Sequence, residues 1–260
     1  MPIYFLSDFG SADVYAGVVR AVLRRRAPDV TVVDLAHDLP PGDVRHAALQ
    51  LYAAVPYLEE GGVVLAVVDP GVGSQRRALA LRGKRLWYVL PDNGIFTLVR
   101  ELDPPRAAWE LDPALYAPGP VSATFHGRDV FAPAAAHLAQ GLPPAALGEE
   151  IDVESPFRLP LWTVEGSEGE VIGFDRFGNA ITNLRPRERP EAVHVVGRRV
   201  PFKNTYADVS EGEAVAYLGS SGLVEIAIRG GSLREKFRLH EGAAAHLHGQ
   251  ETEPPPLELD

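Results

Sequence analysis

Between Asp69 and Arg77 the chain reads Asp-Pro-Gly-Val-Gly-Ser-Gln-Arg-Arg, a carboxylate and two fixed positive charges separated by two glycines. Glycines let the backbone turn tightly and come close to a ligand. The stretch lacks the Gly-Lys-Ser/Thr of a nucleotide-phosphate loop, and no helix follows it as a dinucleotide fingerprint requires. On spacing alone Arg76 and Arg77 read as a solvated pair, and Asp69 as either a site residue or the cap of its own turn. A second stretch, Phe125-His126-Gly127-Arg128-Asp129, opens an alanine-rich helical pattern. The positive end of a helix dipole disfavours a cation there. His126 is therefore expected to be neutral, either relaying a proton near pH 7 or making a structural hydrogen bond. A third stretch, Ser7-Asp8-Phe9-Gly10, puts Asp8 just after the first apolar run, as Asp69 follows the most apolar one. His37-Asp38 and Asp43 raise the question of a metal. No HExxH, His pair or bridging-carboxylate pattern accompanies them, so none is expected.

The second half has its own polar clusters. Asp175-Arg176-Phe177-Gly178-Asn179 is followed by Thr182-Asn183, and later come Asn204-Thr205-Tyr206-Ala207-Asp208 and Gly219-Ser220-Ser221-Gly222. An aromatic face with an amide beside it suits a nucleobase, through stacking and edge hydrogen bonds. The same residue types also make ordinary hairpin turns.

Elements that can position these groups follow from hydrophobic period. Ile3–Leu6 reads as a short strand. Asp13 is placed to cap a helix whose Tyr15, Val18, Val19, Val22 and Leu23 share one face. Val30–Leu35 reads as a buried strand, Val44–Val55 as a helix ended by Pro56, and Val63–Val68 as the clearest strand. Ala78–Leu81 and Leu86–Leu90 bracket Gly83 like a hairpin, Gly94–Leu102 looks helical, and Val130–Gln140 is a helix closed by Gly141. Alternation of this kind predicts an α/β layer with a largely parallel sheet over residues 1–153, its ligand groups at the strand ends. Glu154–Pro160, with two prolines and no period, reads as a linker. Over residues 163–249 helical signals nearly vanish. Six short runs, Val171–Phe174, Ala180–Asn183, Ala192–Val196, Ala214–Leu218, Leu223–Ile228 and Ala243–Leu247, predict a small antiparallel β-barrel or sandwich. The acidic, proline-rich Glu251–Asp260 is expected to be loose.

Composition removes whole classes of function. Over 260 residues there are 25 Lys+Arg against 35 Asp+Glu, a net charge of −10, which argues against a general nucleic-acid binder. Cysteine is absent, excluding disulfides, thiolate metal sites and cysteine nucleophiles. No apolar run reaches the roughly 18 residues of a membrane span, and no signal-peptide pattern opens the chain, so a cytoplasmic location is expected. One Met, few Asn and Gln, and 23 Pro suit either a thermophile or a GC-rich genome.

Taken in order, SDFG, VVDPGVGSQRR, PDNG, TFHGRD, DRFGN and GSSGLVEIA resemble the S-adenosyl-L-methionine hydroxide adenosyltransferases. That family is related to the enzymes that fluorinate and chlorinate the same sulfonium, and the likeness runs from about residue 3 to 248. The resemblance implies an α/β domain followed by a small β-barrel. It also implies hydrolysis of S-adenosyl-L-methionine to adenosine and L-methionine with no metal or separate cofactor. By motif, the family's Asp-Arg-His triad that holds water or hydroxide falls on Asp69, Arg76 and His126. The ribose carboxylate falls on Asp8, and the methionine ammonium site on Asp13 and Asp175. The adenine-stacking pair falls on Phe177 and Tyr206, its edge amide on Asn179, and the methionine carboxylate site on Ser220 and Ser221. The same resemblance implies a homotrimer with the ligand between one subunit's first domain and its neighbour's second.

The departures from the halogenases also carry chemistry. Their halide pocket has a tyrosine and a serine where this sequence has Asp69 and Gly127. An anionic Asp69 repels a halide, and Gly127 takes away a hydroxyl donor. Ser221 stands where they carry an arginine. A halide adenosyltransferase and a non-catalytic sensor of adenosine or its sulfonium are the alternatives. In the implied reaction the thioether leaves neutral, so the demand falls on the nucleophile. Arg76 can stabilise developing hydroxide, and Asp69 or neutral His126 can take the proton.

Overall fold

The computed structural model describes residues 1–117 and 119–249, so the expectation for Glu251–Asp260 lies outside the described residues. The chain divides into two compact units, Met1–Pro160 and Leu161–Asp260.

The first unit is built on strands β1 (Ile3–Ser7), β2 (Val32–Ala36), β3 (Val63–Val67), β4 (Ala78–Gly83), β5 (Trp87–Pro91), β6 (Pro105–Leu111) and β7 (Gly148–Ile151). Its helices are α1 (Tyr15–Arg26), α2 (Val44–Ala54), α3 (Val99–Leu102), α4 (Pro113–Tyr116) and α5 (Ala132–Ala139). The strand order is β2-β1-β3-β5-β4-β6-β7. The β2, β1, β3 and β5 strands run parallel, and β4, β6 and β7 complete the sheet with antiparallel pairings. Alternation on the central strands sorts two cores. Ile3, Phe5, Val63, Leu65 and Val67 pack with α1 and α5, whereas Tyr4, Leu6, Val64, Ala66 and Val68 pack with α2 and α3. Every residue of β1 and β3 is buried, as a strand covered by helices on both faces requires. The chain leaves β1 toward β2 and then crosses back to β3, so the ends of β1 and β3 form the switch point where open sheets bind ligands.

Several local expectations change. The second strand is an edge, with Val33, Asp34 and their neighbours partly exposed, because nothing pairs beyond it. Asp13 does not cap α1. The N-cap position is Val14, without a side-chain cap, and α1 is anchored instead by Ala16, Val19 and Leu23. Asp43, considered for a metal, is the N-cap of α2, its Oδ1 accepting from the His46 amide at 2.9 Å. Gly94–Leu102 is helical only over Val99–Leu102, since Gly94 adopts φ +91°. The stretch read as a linker is fastened to the first unit. Phe157 N donates to Asp92 Oδ1 at 2.7 Å and Leu159 N to Thr97 Oγ1 at 2.9 Å.

The second unit holds β8 (Glu168–Phe174), β9 (Ala180–Thr182), β10 (Ala192–Val195), β11 (Arg198–Pro201), β12 (Ala214–Leu218), β13 (Val224–Ile228) and β14 (Ala244–His248), with α6 (Leu233–Phe237). The order β11-β10-β14-β8-β9-β13-β12 is antiparallel throughout. A bridge from Phe202 to Ala216 brings the two ends together into a nearly closed barrel. Among the described residues, seven strands stand where six were expected. The extra one, Arg-Arg-Val-Pro, has little apolar signal of its own and is set by a two-residue turn. Val196 and Gly197 both have positive φ there, 42° and 72°, which is the type I′ hairpin geometry. Among the described residues no helix is long and apolar enough to cross a membrane.

Candidate active site

Asp69 follows β3 after one intervening residue, and Asp8 follows β1 directly. Ser7 is level with Val67 across this parallel pair, so the two carboxylates emerge at the same end of neighbouring strands. The loop after Asp69 is folded by short-range bonds. Val72 N donates to the Asp69 carbonyl at 3.2 Å, Ser74 N and Oγ both reach the Gly71 carbonyl, and Arg76 N donates to Ser74 Oγ. Gly73 is required where the loop meets the 122–126 segment. Its φ is +76°, and a Cβ there would lie 2.5 Å from the Ala123 carbonyl oxygen.

That approach lets Arg76 serve as the hub of a three-residue network. Its Nε donates to Asp69 Oδ1 at 2.8 Å, its Nη2 donates to Asp69 Oδ2, and the same Nη2 donates to His126 Nδ1 at 2.9 Å. The side chains of Arg76 and Asp69 are only 9% and 6% exposed, so the pair works largely out of water. The Phe131 ring lies beneath the guanidinium, 5.1 Å from its carbon. The expectation of a solvated pair is therefore corrected. Arg76 turns inward to Asp69, and Arg77 turns away to Asp92 Oδ2 (2.8 Å) and the Ser155 carbonyl (2.8 Å).

His126 precedes a single π-helical turn, Gly127–Phe131, that leads into α5. Burial and then the Arg76 charge hold its pKa below the usual 6.5, against opposing pulls from Asp69 and Asp129. Arginine has no acceptor, so the contacting Nδ1 must be unprotonated. The neutral ring then carries its proton on Nε2. Asp129 is occupied elsewhere, by Arg128 and the Ser122 amide. Gly127 has a steric reason to lack a side chain, because a Cβ there would come 2.8 Å from the Phe9 ring. Phe9 in turn meets Phe125 edge-on at 5.8 Å, linking the Asp8 loop to the His126 loop. Asp8 Oδ2 accepts from Gly42 N at 2.7 Å. Asp13 stands on the exposed turn before α1.

In the second unit Phe177, Asn179 and Tyr206 come together on one cleft of about 510 Å³, with Ile228, Arg229 and Gly230. Phe177 is 70% exposed and Tyr206 43%, so both offer ring faces, while Asn179 is buried. Asp175 builds the loop that carries two of them. Its Oδ1 accepts from the amides of Phe177 and Asn179 and its Oδ2 from Asn179 Nδ2, all at 2.8–2.9 Å. The carboxylate fixes which way the Asn179 amide points, leaving its carbonyl and second N–H for a ligand edge. The Tyr206 hydroxyl is 2.9 Å from that of Tyr217, which lies 2.9 Å from Glu225 Oε2. Burial raises the Glu225 pKa, and the Asp175 charge adds to that rise. Ser220 and Ser221 stand apart from the cleft lining, on the Gly219–Gly222 turn between β12 and β13. Phe131 and Tyr217 sit in apolar runs that carry no sign of a site, and Glu225, within GSSGLVEIA, has no role that the motif by itself assigns.

The family model described as SAM hydroxide adenosyltransferase N-terminal domain matches residues 3–148, and that for the C-terminal domain matches residues 169–246. A protein of Thermus thermophilus named (R)-S-adenosyl-L-methionine hydrolase is 59% identical over 253 residues, covering 95% of this chain and 99% of its own. The crystal structure of a conserved hypothetical protein from Thermus thermophilus superposes with a TM-score of 0.86 at 58% identity, covering 95% of this chain and 99% of that one. The fluorinase of Nocardia brasiliensis is more distant, 26% identical over 287 residues, covering 94% of this chain and 96% of its own.

Proposed function

The chain belongs to the SAM hydroxide adenosyltransferase family, and on that premise we propose that it is a hydrolase releasing adenosine and L-methionine from S-adenosyl-L-methionine. The observation that carries this reading is the Asp69–Arg76–His126 network at the end of β3. The name of the 59%-identical relative specifies the R configuration at sulfur, and we take that epimer as the preferred substrate here.

Each residue has a distinct task in this reading. Asp8 holds the ribose, which aligns the 5′ carbon for in-line attack. Phe177 and Tyr206 take the adenine between their faces, Asn179 reads its edge, and Asp13 and Asp175 meet the methionine ammonium. Ser220 and Ser221 receive the methionine carboxylate. A water molecule accepts a hydrogen bond from His126 Nε2–H and donates one to Asp69. Because Nδ1 is committed to Arg76, the ring orients the water and Asp69 takes its proton. As the oxygen–C5′ bond forms, the C5′–sulfur bond breaks with its electron pair going to sulfur. The cationic sulfonium becomes a neutral thioether, so no acid is needed for the leaving group. The attacking oxygen becomes strongly acidic as it bonds to carbon, so even an arginine-paired carboxylate suffices as base. Arg76 holds the Asp69 carboxylate in place through its forked pair. This chemistry calls on no metal or cofactor. Asp69 also disfavours a halide as nucleophile.

The catalytic groups belong to the first unit and the adenine cleft to the second. We propose a homotrimer in which each site draws on two subunits, and a heat-stable one, in keeping with the many prolines, the few thermolabile residues and the Thermus relative. The deciding experiment incubates the enzyme with each sulfonium epimer in water enriched in heavy oxygen, with chloride or fluoride present. Label on the adenosine 5′-hydroxyl is expected, and a 5′-halo-adenosine product would reject the hydrolase reading.

A further inference from the structure

Beside the site, Ser7, His37 and Asp34 form a chain whose order matches that of a hydrolytic triad. Ser7 Oγ lies 2.7 Å from His37 Nδ1, His37 Nε2 lies 2.9 Å from Asp34 Oδ1, and Asp34 Oδ2 accepts from Arg20 Nη1 at 2.6 Å. Nucleophilic chemistry is ruled out by burial, since Ser7 is 0% exposed at the end of β1. The three residues have a different consequence, because Ser7 immediately precedes Asp8. Three bonds from the β2 end fasten the β1–α1 turn. Besides the Ser7 contact, the His37 carbonyl accepts from Gly10 N at 2.8 Å, and Asp38 Oδ1 accepts from Ser11 N at 2.8 Å. Asp8 therefore sits in a turn clamped on both sides, with its own Oδ2 held by Gly42 N. The Phe5 ring, 4.5 Å from the imidazole, closes one side of the clamp.

We propose that His37, fixed by Asp34, is a positioning residue that sets the Asp8 carboxylate for the ribose hydroxyls through Ser7. The inference rests on the reading of Asp8 as the ribose ligand. In the neutral ring Nε2–H donates to Asp34 and Nδ1 accepts the Ser7 hydroxyl proton, so each atom of the chain has one defined role. Ser7 Oγ then turns its lone pairs to Phe9 N, 3.4 Å away. Arg20 holds Asp34 from its other oxygen, so the clamp is referenced to α1 as well as to β2. His37 touches no reacting atom in this scheme. Its effect is limited to the part of binding that comes from the sugar hydroxyls.

The test measures calorimetric binding of adenosine and of 2′,3′-dideoxyadenosine, which lacks the hydroxyls Asp8 would hold. The full-length protein is used with variants His37→Ala, His37→Asn and Ser7→Ala, and with the edge-strand variant Asp34→Asn, which leaves the buried core untouched. Loss of one well-oriented hydrogen bond to a carboxylate corresponds to about tenfold in affinity. His37→Ala and Ser7→Ala should bind adenosine about tenfold more weakly and the dideoxy compound unchanged. His37→Asn can still accept from Ser7 and should recover most of the loss. Asp34→Asn should show a smaller loss in the same direction. Equal weakening of both ligands in folded variants, or no change in either, overturns the proposal. Wild-type protein that binds the two ligands equally would reject the ribose role of Asp8, and the positioning role with it. Discrimination that persists undiminished in His37→Ala and Asp34→Asn would reject the positioning role alone.

Discussion

Replacing Arg76 by alanine removes a charge that is 9% exposed and sits between two functional groups. Four hydrogen bonds of the side chain disappear at once, two to Asp69, one to His126 and one to the Arg77 carbonyl. Asp69 is left as a buried carboxylate without its cation, which typically costs about 3–5 kcal/mol of stability. In the transition state the loss is that of a preorganised donor beside developing charge, about 3 kcal/mol or a hundredfold or more in rate. The His126 pKa should rise as well, because the Arg76 charge is one of the two causes holding it down while Asp69 and Asp129 pull upward. Titration of the His126 ring signals by NMR should show that rise in the variant. The assay is adenosine release followed across pH 5–9, with a melting curve for each variant. Arg76→Lys keeps a charge without the forked geometry and should recover only part of the rate. Arg77→Ala is the internal control. It unfastens Asp92 and Ser155, so it should lower the melting temperature while changing turnover about twofold at most. A folded Arg76→Ala enzyme with more than a tenth of wild-type turnover would refute the reasoning, as would equal kinetic losses at both arginines.

His126 also links stability to pH. Its folded pKa is lowered, so as pH falls below about 6.5 the unfolded chain takes up a proton that the folded chain does not, and stability drops until the folded pKa is reached. Denaturant titrations of wild type and His126→Asn should show that this segment of the pH slope is lost in the variant. Val196, a β-branched residue at φ 42°, is strained in its hairpin turn, and Val196→Asn should stabilise the protein by about 1 kcal/mol in the same assay. For assembly, an Asp69→Ala chain mixed by dissociation and reassembly with a Phe177→Ala, Tyr206→Ala chain should regain activity, since some mixed sites pair two intact halves. A fully active monomer in sedimentation would contradict the shared site.

Much of the architecture was legible because its causes are local. The β3 strand is an unbroken apolar run, the β4–β5 hairpin has its glycine, and the short strands of the second unit are separated by turn residues. The motif order, spread over nearly the whole chain, identified the family. The site residues could be named one by one on that ground, but the contacts among them could not. Nothing in Arg-Arg says which arginine faces inward. That follows from the loop fold and from Gly73 admitting the Ala123 carbonyl, which joins segments fifty residues apart. Likewise β2 reads as a buried strand from its residues alone, and only the strand order makes it an edge. Asp43 shows the same limit. Its side chain suits a ligand, and only the structure shows the carboxylate bound to a backbone amide of its own turn. Periods of two and 3.6 residues are set by neighbouring backbone, so sequence determines them. The tautomer of His126, the burial of Asp69 and the clamp on Asp8 depend on groups remote in sequence, and they exist only once the sheet has brought its strand ends together.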